Sequence, residues 1–432
     1  MRIDRVRIQN FRLFDKADIT FEPDFNVIIG VNGAGKTALL EAIAVAAGTW
    51  LLGMQSQATR QIRKEDIRIE EQPLDNGRSI FEEKLPVEVE AWGEIMGERL
   101  QWKRSLKTSH GRTTASDSKE VKNIAEWVDI LTQNGAPYIL PLIAYYGSGR
   151  LHTDSRQRLK VNGIKEGASK EHLMRLNAYQ SSIDKKINQE ALVQYFVRES
   201  WYAYTTKIES LVFTSVREAL RRCIDNAQSI YYNPDTEDLV VEIEGQGAIP
   251  FSYLSDGHRA MLAMVGDLCR NIVQLNPRLG SDAIRETPGV VLIDELELHL
   301  HPAWQQRVVT DLKRTFPKIQ FIATTHSPLA VGELPSRCVI LLNRDGTWSH
   351  PYIGTRGAES AEILNHVMGA KSQNPEVYQL ERGIEEALDS DDFSKAEKLY
   401  SRFLEITEEP TIQRTGVRTL MESERILREA AR

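Results

Sequence analysis

Residues Gly30–Thr37 read GVNGAGKT and stand between an apolar pentapeptide, Phe25–Ile29 (FNVII), and a helix-forming run, Ala38–Ala47 (ALLEAIAVAA). Few local patterns restrict a fold more. A short apolar run without alternation suits a strand buried on both faces, as parallel sheets require. The glycines allow a tight turn whose backbone N–H groups face inward, and the next helix offers its N-terminal amides and dipole to an anion. The pattern predicts a phosphate cradle in a strand–loop–helix unit. The backbone of Gly30, Asn32, Gly33, Ala34, Gly35 and Ala38 would line it, with Lys36 reaching the β/γ oxygens and Thr37 ligating Mg²⁺, so ATP with Mg²⁺ is the expected ligand.

Val290–Glu295 (VVLIDE) is a second buried-strand pattern, with two acids at its C-terminal edge, where open α/β sheets bind ligands. Asp294 is placed to hold the Mg²⁺ shell and Glu295 to orient and deprotonate an attacking water. A third apolar run, Ile319–Ala323, ends in Thr324, Thr325 and His326. One helix, Pro302–Phe316, is expected between the second and third strands, as a right-handed βαβ step would provide. His326 then becomes a candidate γ-phosphate sensor.

The ordered set GVNGAGKT, LSDGH (Leu254–His258), VVLIDE and TTHSP (Thr324–Pro328) resembles the ABC-type ATPase heads of the SMC/RecF/OLD superfamily. The resemblance implies an α/β P-loop NTPase of ABC/SMC-head type with an antiparallel β-subdomain, a short helical insertion and a C-terminal helical region. Val6–Phe14 (VRIQNFRLF) is similar to the opening strand of that family, which implies that Arg12 approaches the nucleotide of its own subunit. Glu297–Pro302 (ELHLHP) resembles the family's interface loop. In such heads the signature loop of one subunit covers the γ-phosphate held by another, which implies a contact in trans from Ser255 and Gly257. Transporter ATPases usually carry LSGGQ; Asp256 and His258 here disfavour a transporter. The family's Q-loop glutamine has no counterpart, and its place falls at Leu142–Arg150, where Tyr146, Ser148 and Arg150 are candidates for Mg²⁺ or phosphate contact. His299 and His301 lack a third ligand at recognisable spacing and are read as interface residues rather than a metal pair.

A chain of 432 residues with 41% hydrophobic content can bury a large core. It has no run of eighteen apolar residues, and its first residues, MRIDRVR, are charged, so neither a membrane span nor a secretory signal is expected and a cytoplasmic location is. Cys223, Cys269 and Cys338 are far apart and are expected to pack as small apolar residues. A net charge of −7 leaves nucleic-acid binding to a partner or to a local patch. Arg150–Lys170, with Arg150, Arg156, Arg158, Lys160, Lys165 and Lys170 against Asp154 and Glu166, is the candidate patch.

The head is expected over 1–350, with a P-loop half to 150, a helical insertion over about 151–230 and a signature half over 231–350. Val87–Trp92 and Arg99–Leu106 read as a hairpin, and Ser105–Lys122 as a mobile loop. Helices are expected over Gln189–Ser200 and Lys207–Asn226, with Trp201 and Tyr202 between them and no long coiled-coil arm. The region 351–432 reads as three helices, Glu376–Leu388, Phe393–Glu405 and Gln413–Ala431, whose apolar stripes would pack on the head or dock a partner. Leu388–Asp392 (LDSDD) reads as a cap and turn rather than a nuclease centre.

Gly357–Leu364 and Asp389–Leu399 resemble the tail of compact bacterial anti-phage ATPases of the Septu (PtuA) type, a tail shared with retron-associated ATPases. The resemblance implies a cytoplasmic ATPase, not itself a nuclease, that forms homo-oligomers of at least two heads and restrains an HNH-type nuclease. Two alternatives stand beside it: a RecF-like DNA-binding repair ATPase and an OLD-type nuclease-ATPase.

Overall fold

Four apolar runs of the sequence become buried parallel strands of one sheet in the computed structural model, which describes residues 1–55, 59–73, 79–150, 170–180, 182–183, 187, 189–224, 226–370, 374–407 and 412–430. Phe25–Ile29, Leu142–Tyr146, Gly289–Ile293 and Ile319–Thr324 are buried along their whole length. The sheet runs Trp348–Ser349, Val339–Leu342, Phe25–Ile29, Ile319–Thr324, Gly289–Ile293, Leu142–Tyr146, and only the outermost pair is antiparallel. All the motif-bearing strands therefore point the same way and deliver their following loops to one edge.

A second, antiparallel sheet is ordered Phe14–Thr20, Arg2–Phe11, Val87–Ile95, Glu98–Leu106. Between the two sheets lies the helix Lys36–Ala47, buried from Ala38 to Ala47. Trp102 of the antiparallel sheet donates its indole N–H to Ala46 O at 3.0 Å, which satisfies a polar group inside an apolar layer. The stretch Lys36–Gly53 is apolar enough to pass for a membrane span, but 83% of it is buried in this core. Cys223, Cys269 and Cys338 are buried and free, as small core residues.

Several local expectations are corrected. Ser105–Lys122 is tied down rather than mobile: Thr114 N–H donates to Ser105 O at 2.7 Å, Ser118 Oγ to Lys103 O at 2.6 Å, and a helix starts at Lys119. The helix from Gln189 runs through Trp201 and Tyr202 to Thr206, whose hydroxyl bonds the Tyr202 carbonyl at 2.7 Å, and the next is Leu211–Arg221. Pro302–Phe316 is two helices, Pro302–Gln305 and Val308–Thr315, interrupted where Arg307 leaves helical geometry at φ −120°. A three-stranded sheet, Ala227–Asn233, Asp238–Ile243 and Gly247–Pro250, was not anticipated at all. Arg156, Arg158, Lys160 and Lys165 of the basic stretch lie outside the described residues.

By its internal contacts the chain divides into two units, Met1–Ser360 and Ala361–Arg432. In the second, Pro375–Asp389, Phe393–Ile406 and Ile412–Ala430 close round Ile384, Ala387, Ala396, Phe403 and Met421. The apolar stripes thus bury one another, a solution the sequence reading had not considered. Asp392 caps the middle helix by accepting from Lys395 N–H at 3.0 Å.

Candidate functional site

Neighbouring parallel strands bring the P-loop, Asp294 with Glu295, and Thr325 with His326 to one sheet edge. In the P-loop, Gly33 and Gly35 adopt φ of 81° and 95°, a region where other residues are strained. A Cβ on Gly35 would stand 2.7 Å from the Phe14 ring and 2.9 Å from Leu13, so the turn after the first strand braces the loop. Lys36 Nζ donates to Gly30 O at 2.9 Å and Val31 O at 3.3 Å, inside the loop. Burial lowers its pKa, against the opposing charges of Asp294, Glu297 and Glu295. Asn32 and Gly33 face outward, whereas Ala34 and Ala38 are buried.

The Walker acids are linked to this loop through hydroxyls. Thr37 Oγ1 donates to the Asp294 carboxylate, 3.0 Å from Oδ2 and 3.2 Å from Oδ1. Thr324 Oγ1 donates to Asp294 Oδ1 at 2.7 Å and accepts from Glu295 N–H at 2.8 Å. Glu295 has φ 54°, a left-handed conformation that costs a side-chain-bearing residue about 1–2 kcal/mol. His326 is exposed, and its backbone N–H donates to Glu297 Oε1 at 2.6 Å while Thr325 Oγ1 donates to Glu297 Oε2 at 2.5 Å. Glu297 therefore sets the loop that carries His326, a role missed in the sequence. Its only signal there was an acid two residues beyond the Walker glutamate.

Candidates at the Q-loop position separate. Tyr146 donates its hydroxyl to Asp267 Oδ2 at 2.9 Å in a fully buried setting that raises its pKa, so it faces the helix Asp256–Leu275 and not a phosphate. Ser148 is exposed. Arg150 is buried against the backbone carbonyls of Asp294 and Glu295. Arg12 sits in the bracing turn at φ 51° and is 29% exposed, with its guanidinium 2.9 Å from Asp66 and 3.9 Å from Glu41 of the P-loop helix. Arg60 completes that buried network, 2.9 Å from Glu41 and 2.8 Å from Asp66.

The signature residues are occupied elsewhere. Ser255 caps the helix Asp256–Leu275, accepting from His258 N–H at 3.4 Å, and its hydroxyl lies 2.6 Å from His258 Nδ1. The His258 ring meets Trp304 edge-on at 4.2 Å, and burial lowers its pKa. Gly257 packs so closely that a Cβ would stand 2.3 Å from His299 O. His301 caps the helix that starts at Pro302, and among the described residues no group of three or more His, Cys, Asp or Glu is arranged to hold a metal.

A P-loop strand inside a parallel sheet, an antiparallel sheet over its helix, and the helix Asp256–Leu275 packed on the loop after Asp294 and Glu295 define a P-loop ATPase fold. The chain belongs to the AAA-domain family, which it matches over residues 5–226. Residues 155–332 also match a family described as AAA domain, putative AbiEii toxin, Type IV TA system. The Retron Ec83 probable ATPase of Escherichia coli is 30% identical over 201 residues, 46% of this chain and 34% of that protein. Septu protein PtuA of Bacillus thuringiensis is 23% identical over 419 residues, 92% of each chain. The solved SMC head domain from Thermotoga maritima aligns at 14% identity over 82% of this chain and 100% of its own, with a TM-score of 0.43.

Proposed function

We propose that this chain is the ATP-binding and ATP-hydrolysing subunit of a bacterial anti-phage defence complex, assembling head-to-tail around ATP and holding an HNH-type nuclease partner in check in the cytoplasm. The observation that supports the ATPase chemistry is the continuous run Thr37–Asp294–Thr324–Glu295, in which two oxygen donors suited to a cation lie together and are tied to the backbone N–H of the residue that would serve as base. The defence setting rests on the likeness to Septu and retron proteins.

Phosphates would enter the cradle formed by the backbone of Gly30, Asn32, Gly33, Ala34, Gly35 and Ala38, and Lys36 would exchange its two carbonyl acceptors for β/γ oxygens. The Thr37 hydroxyl and Asp294 carboxylate are hard oxygen donors of the kind Mg²⁺ takes, and they already lie together, so the residues fit the ion. When bound, Mg²⁺ neutralises charge on the β/γ oxygens. Glu295 would accept the proton of the attacking water, His326 would face the γ-phosphate, and Ser255 and Gly257 of a neighbouring head would cover it. Arg12 would leave Asp66 for the nucleotide of its own head. Residues 351–432 would supply the partner-docking region.

Native mass measurement of the Glu295→Gln protein, purified with the products of neighbouring genes and ATP, tests this reading. It expects paired or larger assemblies of heads with a nuclease attached. A monomer that retains ATP but captures no nuclease overturns it.

A further inference from the structure

Arg150 ends the glycine turn after the strand Leu142–Tyr146, and ATP hydrolysis as described leaves it without a task. It is 2% exposed. One guanidinium nitrogen donates to Asp294 O at 2.8 Å and to Glu295 O at 3.2 Å, and the other donates to Glu295 O at 3.2 Å. The backbone of Arg150 is itself fixed, donating to Gly147 O at 3.1 Å and accepting from Ile187 N–H at 3.2 Å. A planar fork is thus clamped at its root and closed on two successive carbonyls.

The gripped residues are the ones whose backbone needs holding. Glu295 is left-handed at φ 54°, and such a conformation persists only where the surroundings over-determine it. Glu295 N–H is held by Thr324 Oγ1 at 2.8 Å, Asp294 N–H by Tyr146 O at 2.7 Å, and Glu295 O also accepts from Leu298 N–H at 3.0 Å. Among the described residues, Arg150 is the side chain that joins both carbonyls. Its charge also faces Asp294, Glu295 and Glu297 together.

We propose that Arg150 is the positioning residue for Glu295: by clamping the Asp294–Glu295 carbonyls it aims the Glu295 carboxylate at the attacking water. The proposal rests on the reading that this head hydrolyses ATP with Glu295 as base. A lysine in its place keeps the charge but offers a point donor that cannot span both carbonyls in one plane.

The test uses full-length Arg150→Lys, Glu295→Gln and the double variant, with steady-state hydrolysis and binding of a fluorescent ATP analogue. Arg150→Lys is expected to lower kcat by about 30-fold or more, because small displacements of a catalytic group are costly. KM and analogue affinity should stay within about threefold, as for a group acting only in the chemical step. In the Glu295→Gln background the lysine should add no further loss, since both changes act through one carboxylate. Wild-type kcat in Arg150→Lys, a fall in affinity matching the fall in kcat, or full additivity in the double variant each overturns the proposal. If Arg150→Lys does not fold, Arg150→Gln, which can still donate to one carbonyl, is measured in the same way. Hydrolysis at the wild-type rate by Glu295→Gln alone would defeat the underlying reading. Loss in Glu295→Gln with wild-type rates in the Arg150 variants defeats only the positioning role.

Discussion

At the carboxyl edge of the parallel sheet, Thr37, Asp294, Thr324 and Glu295 hold one another within a single chain. The signature loop presents its groups outward instead: Tyr253 is 82% exposed, Ser255 and Asp256 are exposed, and the Ser255 hydroxyl rests on its own neighbour His258. The difference fits what each part would do on the proposed reading. Groups that act on a reacting bond gain from being fixed before the substrate arrives, since misplacement is paid in rate. On the proposed reading, Ser255 would recognise another subunit's nucleotide, and it is held ready by a local partner that can be exchanged.

The comparison is broken most severely at Lys36. Lys36→Ala should weaken ATP binding by at least about a hundredfold, because the charge directed at the β/γ oxygens is gone. Calorimetry showing affinity within tenfold of wild type would move the nucleotide elsewhere. Glu295→Gln should bind ATP normally yet hydrolyse it at least about a hundredfold more slowly, in single-turnover assays, because it cannot accept a proton. Unchanged turnover would assign the base to another residue.

The outward half is probed by Ser255→Arg, which should spare nucleotide binding to a subunit and reduce hydrolysis by about tenfold or more, since bulk and charge would stand on the far face of the proposed sandwich. Mixed with Lys36→Ala protein it should recover part of the activity, because the P-loop of one variant then meets the intact signature of the other. Absence of rescue at every mixing ratio would mean that each head works alone.

How far the sequence reveals these two regions depends on what kind of partner each residue has. Strands such as Phe25–Ile29 and Gly289–Ile293 were legible because unbroken apolar runs end in the motifs. Ala227–Asn233 was not, since only Ala227 and Ile230 of that strand are buried and a helical pattern leads up to it. Arg150 was noticed for its charge and as a candidate Mg²⁺ or phosphate contact, whereas its grip on the Asp294 and Glu295 carbonyls was not foreseen, because backbone acceptors leave no trace in side-chain identity. The His258–Trp304 contact joins residues far apart in the chain and could not be anticipated. For the tail, amphipathic spacing showed that a face is buried but not that the three helices bury it among themselves.

Smaller effects sharpen the contrast. Truncation after Asn374 removes no residue assigned to phosphate, cation or water, so hydrolysis should remain within about threefold of the full chain while nuclease co-purification fails. Retention of the nuclease by the soluble truncated protein would exclude the tail as the dock. The weakest effect concerns His258, whose pKa burial lowers, so the imidazole is neutral at neutral pH and its Nδ1 can accept from the Ser255 hydroxyl. As pH falls through the ordinary imidazole range the unfolded chain takes up this proton first, so the His258 contribution favours folding above that range and is lost on acidification. NMR should show a midpoint below about 6.5 that moves upward in Trp304→Ala, where the ring is opened to water. A midpoint that stays where it was would remove the burial argument.

The contact between Gly257 and the His299 carbonyl has a mechanical side. Two main chains meet there with no side chain between them to bend or change rotamer. A methyl group inserted at that point would act as a wedge, prising the start of the helix Asp256–Leu275 away from the loop that carries His299.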